Sequence, residues 1–195
     1  MLLNSFAAAI TAIILLFIII EKRGLKLSVM LPVVVMTAAA SIGRLIFAFL
    51  PNVQPVTVIV IIMGMCYSAE AGFLTGALSA LTSSLIIGFG PWTIWQMLAW
   101  GLIGLFAGFL GKIKFLNNTV FCAVFGVFGA FFFSAFMDIW TISTLMSDLA
   151  AVGGVFVILG QGMLFNIPHA VFNAVFAVLL YPAMKRKLIR IKAKY

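Results

Sequence analysis

The sequence predicts an all-α fold: a polytopic membrane helix bundle of seven spans, forming one domain over residues 1–195. Three observations predict it. The chain is 65% hydrophobic and only 8% charged, with a mean hydropathy of +1.29. A soluble domain runs near half apolar and a quarter charged, so the solvent here is a bilayer. Apolar runs close to the length that spans the hydrocarbon core, about 20 residues, recur along the whole chain. Eleven of the twelve Lys and Arg fall into three clusters, at Lys22, Arg23 and Lys26, at Lys112 and Lys114, and from Lys185 to Lys194. Seven spans put all three clusters on one side, as expected of cytoplasmic loops and a cytoplasmic tail. The net charge of +8 is therefore a topology signal, and a nucleic-acid partner is not expected. The N-terminus falls outside and the C-terminus in the cytoplasm of a multi-pass cell-membrane protein.

Each element can be justified in turn. Residues 2–20 lack a basic leading region and a small-residue cleavage site, so they read as a retained first helix. Residues 28–49 form the next span, with Arg44 inside it. Residues 55–67 are short for a full crossing and read as a tilted or partial helix. A tight inner turn, "CYSAEAG", leads into 70–87, and 93–111, 117–137 and 154–183 follow, with a basic tail at 184–195. Small residues recur at four-residue spacing, at Ala8 and Ala12, Ala39 and Gly43, and Gly72, Gly76 and Ala80. Such ridges let helices approach closely. Cys66 and Cys122 lie in apolar runs without metal-ligand spacing and read as buried small hydrophobes.

The outer connections hold the distinctive chemistry: "FLPNVQP", "IGFGPW" and "MDIWTISTLMSDLAAVGG". Arg44 is an ionisable residue inside a span, which costs about 2.5–3.5 kcal/mol on insertion scales. It is expected to face an outward cavity, with Asp138 as its candidate partner. Gly88, Gly90 and Pro91 break the chain at the outer face, where irregular backbone survives only beside a cavity or water. Trp92 and Trp95 then share a helix face with Gln96 beside them, which suits a pocket wall for a ring-bearing solute. The last span carries Gln161, Asn166, His169 and Asn173; the final three share one face, a polar stripe facing the bundle. Pro168 frees a backbone carbonyl one turn earlier.

Several function classes are excluded or weakened. There is no phosphate-binding loop, no HExxH, no paired carboxylate and no set of acids for an ion relay. A hydrolase built from Ser79 and His169 lacks a recognisable nucleophile turn, and no enzyme is expected. A stand-alone secondary transporter lacks the intramembrane acids it needs.

The stretch from "AAASIGRLIFAFLPNVQPVTVIVIIMG" through "EAGFLTGALSALTSSLIIGFGPWTIWQMLAWGLIGLFAGFLG", Ala38 to Gly111, resembles the substrate-binding S component of energy-coupling factor (ECF) vitamin transporters. The resemblance implies a six-helix S-component core at 28–183 with one added N-terminal helix at 1–20. It departs from the family in one place: Ser79 and Ala80 stand where an Asp is common. It further implies vitamin capture from outside and delivery through a membrane scaffold subunit driven by two cytoplasmic ATPases, with no cofactor. The small residues of the first family helix, here Ala38, Ala39, Ala40 and Gly43, would dock the scaffold. "PNVQP", with Asn52 and Gln54, would form a lid opposite Trp92, Trp95 and Gln96. Asp138, Trp140, Asn166 and His169 complete the expected site. The pattern is most similar to cobalamin-type S components, so cobalamin is the expected substrate; a queuine-like base, pantothenate and pyridoxine are the alternatives.

Overall fold

The computed structural model describes residues 2–22, 24, 27–145 and 152–194. Arg23 and Lys26 of the first basic cluster, and 146–151 of the third outer connection, lie outside the described residues. The regular structure described is all helical: α1 (Leu2–Lys22), α2 (Leu27–Ile46), α3 (Val56–Cys66), α4 (Ala69–Ile87), α5 (Trp92–Leu110), α6 (Thr119–Leu145) and α7 (Val152–Lys194), with a 3-10 turn at Lys114–Leu116. The chain is thus a polytopic helical bundle. Among the described residues, α2, α4, α5, α6 and α7 contain five stretches long and apolar enough to cross a membrane.

Two elements run past their expected ends. Helix α6 continues through Asp138 and Trp140, so these residues belong to a helix and not to a loop. The hydroxyls of Thr141 and Thr144 donate back to the carbonyls of Met137 and Trp140, which satisfies these polar side chains without breaking the helix. Helix α7 absorbs Pro168 and Pro182 and carries the basic tail as continuous helix. Its 43 residues make it about 65 Å long.

Helix α3 departs furthest from a membrane span. It has 11 residues, or about 16 Å, roughly half the hydrocarbon thickness. All of its residues are buried. A helix apolar on every side has no face that prefers water, and here it forms the central pillar of the bundle. Five helices surround it: α2, α4, α5, α6 and α7.

Glycine makes this arrangement close. A Cβ added at Gly64 of α3 would overlap the carbonyl of Gly104 in α5, and one at Gly104 would overlap the carbonyl of Gly72 in α4. A Cβ at Gly72 would in turn lie 2.8 Å from Gly64 Cα. Three backbones therefore touch at one point. Farther along α5, Gly108 meets Ala69, and Gly111 meets Met65. Gly72 and Gly76 are thus used inside the molecule, against α5.

The two ends of the bundle differ in chemistry. Tyr67, just after α3, donates its hydroxyl to the carbonyl of Ser28 at the start of α2. Asn117, before α6, donates to the carbonyl of Met65 at 2.8 Å. Lys185 and Lys192 of α7 donate to the carbonyls of Asn117 and Tyr67, both at 2.5 Å. The described basic clusters and the inner turns thus gather at one end, as the charge pattern requires.

Gly104→Ala is expected to force α4 and α5 apart and to destabilise the fold by about 1–3 kcal/mol, read as a lower melting temperature in detergent. Gly160→Ala, where an added Cβ meets nothing within 4 Å, is the control and should be neutral or slightly stabilising.

Candidate functional site

At the end opposite the basic clusters, a cavity of about 200 Å³ opens between the last turn of α2, the 47–54 connection, the end of α4 and the start of α5. Arg44 and Gln96 provide its polar floor, Asn52 and Gln54 line the 47–54 side, and Phe47 and Phe133 supply flat apolar walls. Asn52 holds a left-handed backbone, with φ of 57°, a conformation that Asn tolerates better than most residues. It lets the short "PNVQP" segment turn over the cavity. The Pro55 ring, at the end of that segment, seats against Gly43, whose missing Cβ would come within 2.5 Å of Pro55 Cγ.

Arg44 is held by neutral groups. One terminal nitrogen donates to Ser83 Oγ at 2.7 Å and, more weakly, to Ser84 Oγ at 3.4 Å; the other donates to Gln96 Oε1 at 3.1 Å. Its guanidinium also lies 5.0 Å from the Trp100 ring centre, within cation–π range. The expected partner, Asp138, is not used. It lies beside Gly162 of α7, while the serines at the end of α4 face Arg44 directly. A guanidinium offers five N–H donors, and these three contacts leave donor capacity over. Gln96 Oε1 accepts from both Arg44 and Ser84, so its amide N–H groups also remain available. The floor is rich in donors, and among the described residues the cavity is lined by no acid.

Beneath the floor, Trp100 ties three helices together. Phe133 stacks on it at 4.6 Å with an interplanar angle of 23°. Its Nε1–H donates to Thr57 Oγ1 at 3.1 Å, and Thr57 Oγ1 lies 3.1 Å from His169 Nε2. An indole nitrogen only donates, so Thr57 Oγ1 accepts from Trp100, and its contact with His169 Nε2 extends the link to α7. His169 is fully buried, one layer below the cavity. Ser79 donates to the Thr75 carbonyl at 2.5 Å, so the Ser79–His169 pair of a hydrolase is not formed.

Four of the ten expected site residues meet at this cavity: Arg44, Asn52, Gln54 and Gln96. Asn166 and His169 face the interior of the bundle, Asn166 accepting from Ser134 and His169 pairing with Thr57. Trp92 and Trp95 are not brought together at it. Trp92 is 40% exposed and folds over Gly90. Trp95 is buried with Ala9, Ile13 and Leu98, and Trp140 packs on the same cluster against α1. The cavity face of α5 is Gln96 with Trp100, one turn apart. The side chain of Gln161 lies outside the described residues. Of the expected docking residues, Ala38 and Ala39 are exposed, Ala40 is buried, and Gly43 sits under Pro55.

Sequence reasoning missed Phe47, Thr57, Ser83, Ser84, Trp100 and Phe133. The i, i+4 spacing of Gln96 and Trp100 could have found one of them. Phe133 stands in a run of three phenylalanines, and nothing in the run marks it. A larger groove of about 570 Å³ lies toward the basic end between α1, α2 and α4. Among the described residues, Glu21 is the only charged residue lining it, beside aliphatic and aromatic side chains.

Thr57→Val keeps the shape of the side chain and removes the hydroxyl that joins Trp100 to His169. It is expected to cost about 1 kcal/mol, measured as a lower melting temperature, with a red-shifted or broadened tryptophan emission.

None of the curated proteins and none of the solved structures matches this chain. One family model, described as ECF-type riboflavin transporter, S component, matches residues 24–186. The match takes in every residue of the cavity and leaves out α1. The chain therefore belongs to the ECF-type riboflavin transporter S-component family.

Proposed function

We propose that the protein captures a flat, carbonyl-bearing vitamin of the flavin kind in the Arg44 cavity, riboflavin being the substrate that fits best. Membership of the family implies a transporter subunit that binds a vitamin and works with an ECF scaffold and ATPase partners. The observation that carries the finer reading is the donor-rich floor. Arg44 and Gln96 present N–H groups, and the described lining holds no carboxylate, which supports a ligand edge that accepts hydrogen bonds. The pyrimidinedione edge of a flavin offers carbonyl oxygens of that kind. Phe47 and Phe133 can hold the ring faces, and Asn52 and Gln54 can meet a polyhydroxyl chain.

The competing substrate is cobalamin, the one expected from the sequence. A corrin ring with its side-chain amides is several times bulkier than a three-ring flavin. A cavity of about 200 Å³ favours the smaller molecule. In this reading the vitamin enters at the end that carries the cavity, which faces outside, with the N-terminus on that side and the basic end in the cytoplasm. Two ATPase subunits drive release through the scaffold, and Ala38 and Ala39 on the exposed face of α2 contribute to docking.

The test is calorimetry on the purified protein with riboflavin, cobalamin, pantothenate and pyridoxine. Riboflavin is expected to bind one to one. Arg44→Ala should weaken binding at least about tenfold, the loss expected for a hydrogen bond from a charged donor, while Trp92→Ala should leave it nearly unchanged. Binding of cobalamin alone would discard the flavin reading and keep the family.

A further inference from the structure

The sequence places six basic residues and no acid between Lys185 and Lys194. The structure divides the first five of them. Lys185, half-buried, and Lys192, exposed, reach inward to the bundle from the same stripe as Tyr181 and Leu188, and Leu188 is fully buried. Lys185 donates to the Asn117 carbonyl and to Tyr181 Oη, and Lys192 donates to the Tyr67 carbonyl. These two cations close helix-ending turns, where carbonyls carry partial negative charge. Arg186, Lys187 and Arg190 are exposed, on the faces turned away from that stripe. Arg186 reaches back only to the Pro182 carbonyl, through Nε at 3.2 Å.

The depth of this segment is fixed by its two inner contacts. Asn117 precedes α6 and Tyr67 follows α3, and both lie where helices end at the basic side of the bundle. A strap tied to both turns stays at the membrane boundary and does not project away from it. The neighbouring connection has the same character. Lys112 and Lys114 alternate with Ile113 and Phe115, which are 51% and 84% exposed. Cations beside exposed apolar groups at this depth match a surface that seats its apolar groups at the acyl boundary and its charges among phosphates.

We propose that the outward face of the α7 strap, Arg186, Lys187 and Arg190, binds the phosphate headgroups of anionic phospholipids in the leaflet at the basic end. The inward cations, Lys185 and Lys192, hold the strap in place and do not contact the lipid. The charge complementarity selects the lipid: the strap carries no acid of its own, and an anionic leaflet is the negative surface that a segment continuous with a membrane span necessarily meets.

The experiment uses the full chain, delipidated in detergent and titrated with phosphatidylglycerol or phosphatidylcholine, with retained lipid counted by native mass spectrometry. The protein is expected to retain phosphatidylglycerol preferentially. The preference should fall about fivefold for each outward charge removed, and it should be lost in Arg186→Gln, Lys187→Gln, Arg190→Gln combined, with the melting temperature unchanged. Lys185→Gln should do the reverse, lowering the melting temperature and keeping the preference. Equal retention of the two lipids by the unaltered protein would overturn the proposal and leave the face to an acidic protein surface. Preference surviving in the triple variant would also overturn it, and would assign the lipid to the Lys112–Lys114 connection.

Discussion

The meeting of three backbones at Gly64, Gly72 and Gly104 is the constraint on which the rest of the molecule depends. Lipid gives helices no hydrophobic reason to associate, so close van der Waals contact must hold them together. Without side chains at these positions, α3, α4 and α5 approach until carbonyl oxygens lie against glycine backbone. That contact sets the register of α5 against α4 and α3. Gly76 lies against the Trp100 carbonyl and Gly101 against the Phe73 ring, so the same packing positions the indole beneath the cavity floor. Gln96, one turn earlier, then faces Arg44.

The two ends of the bundle handle buried polarity in different ways. At the cavity end a cation is held, among the described residues, by serine hydroxyls, a glutamine oxygen and an indole face. This leaves the guanidinium charged and partly unspent, as a site for an electron-rich ligand edge requires. At the basic end, Lys185 and Lys192 are spent on backbone carbonyls, and the phenols of Tyr67 and Tyr181 bridge the same turns.

Much of the fold was legible because hydropathy and the positions of Lys and Arg report directly on the bilayer. Span order, the gathering of the described basic clusters at one end and the cost of burying Arg44 all follow from that one solvent. Helix ends were less legible. Nothing in the polarity of "DIWTIST" shows that its hydroxyls fold back on their own helix, and a basic tail reads the same whether it is loose or helical. The aromatic part of the site misled for a related reason. Trp92 and Trp95 are conspicuous in the sequence, but α1 covers the face that carries Trp95, and a pairing between distant helices leaves no local pattern. Trp100, one turn beyond Gln96, lay inside an apolar run and looked like core. It is core, and its ring also carries the Arg44 guanidinium of the cavity floor.

The measurement that bears most directly on this account is a structure of the protein with riboflavin bound. The ring system is expected between Phe47 and Phe133, with its carbonyl edge on Arg44 and Gln96 and its polyhydroxyl chain under Asn52 and Gln54. A vitamin found instead against Trp92, or in the groove between α1 and α2, would contradict the assignment of the site.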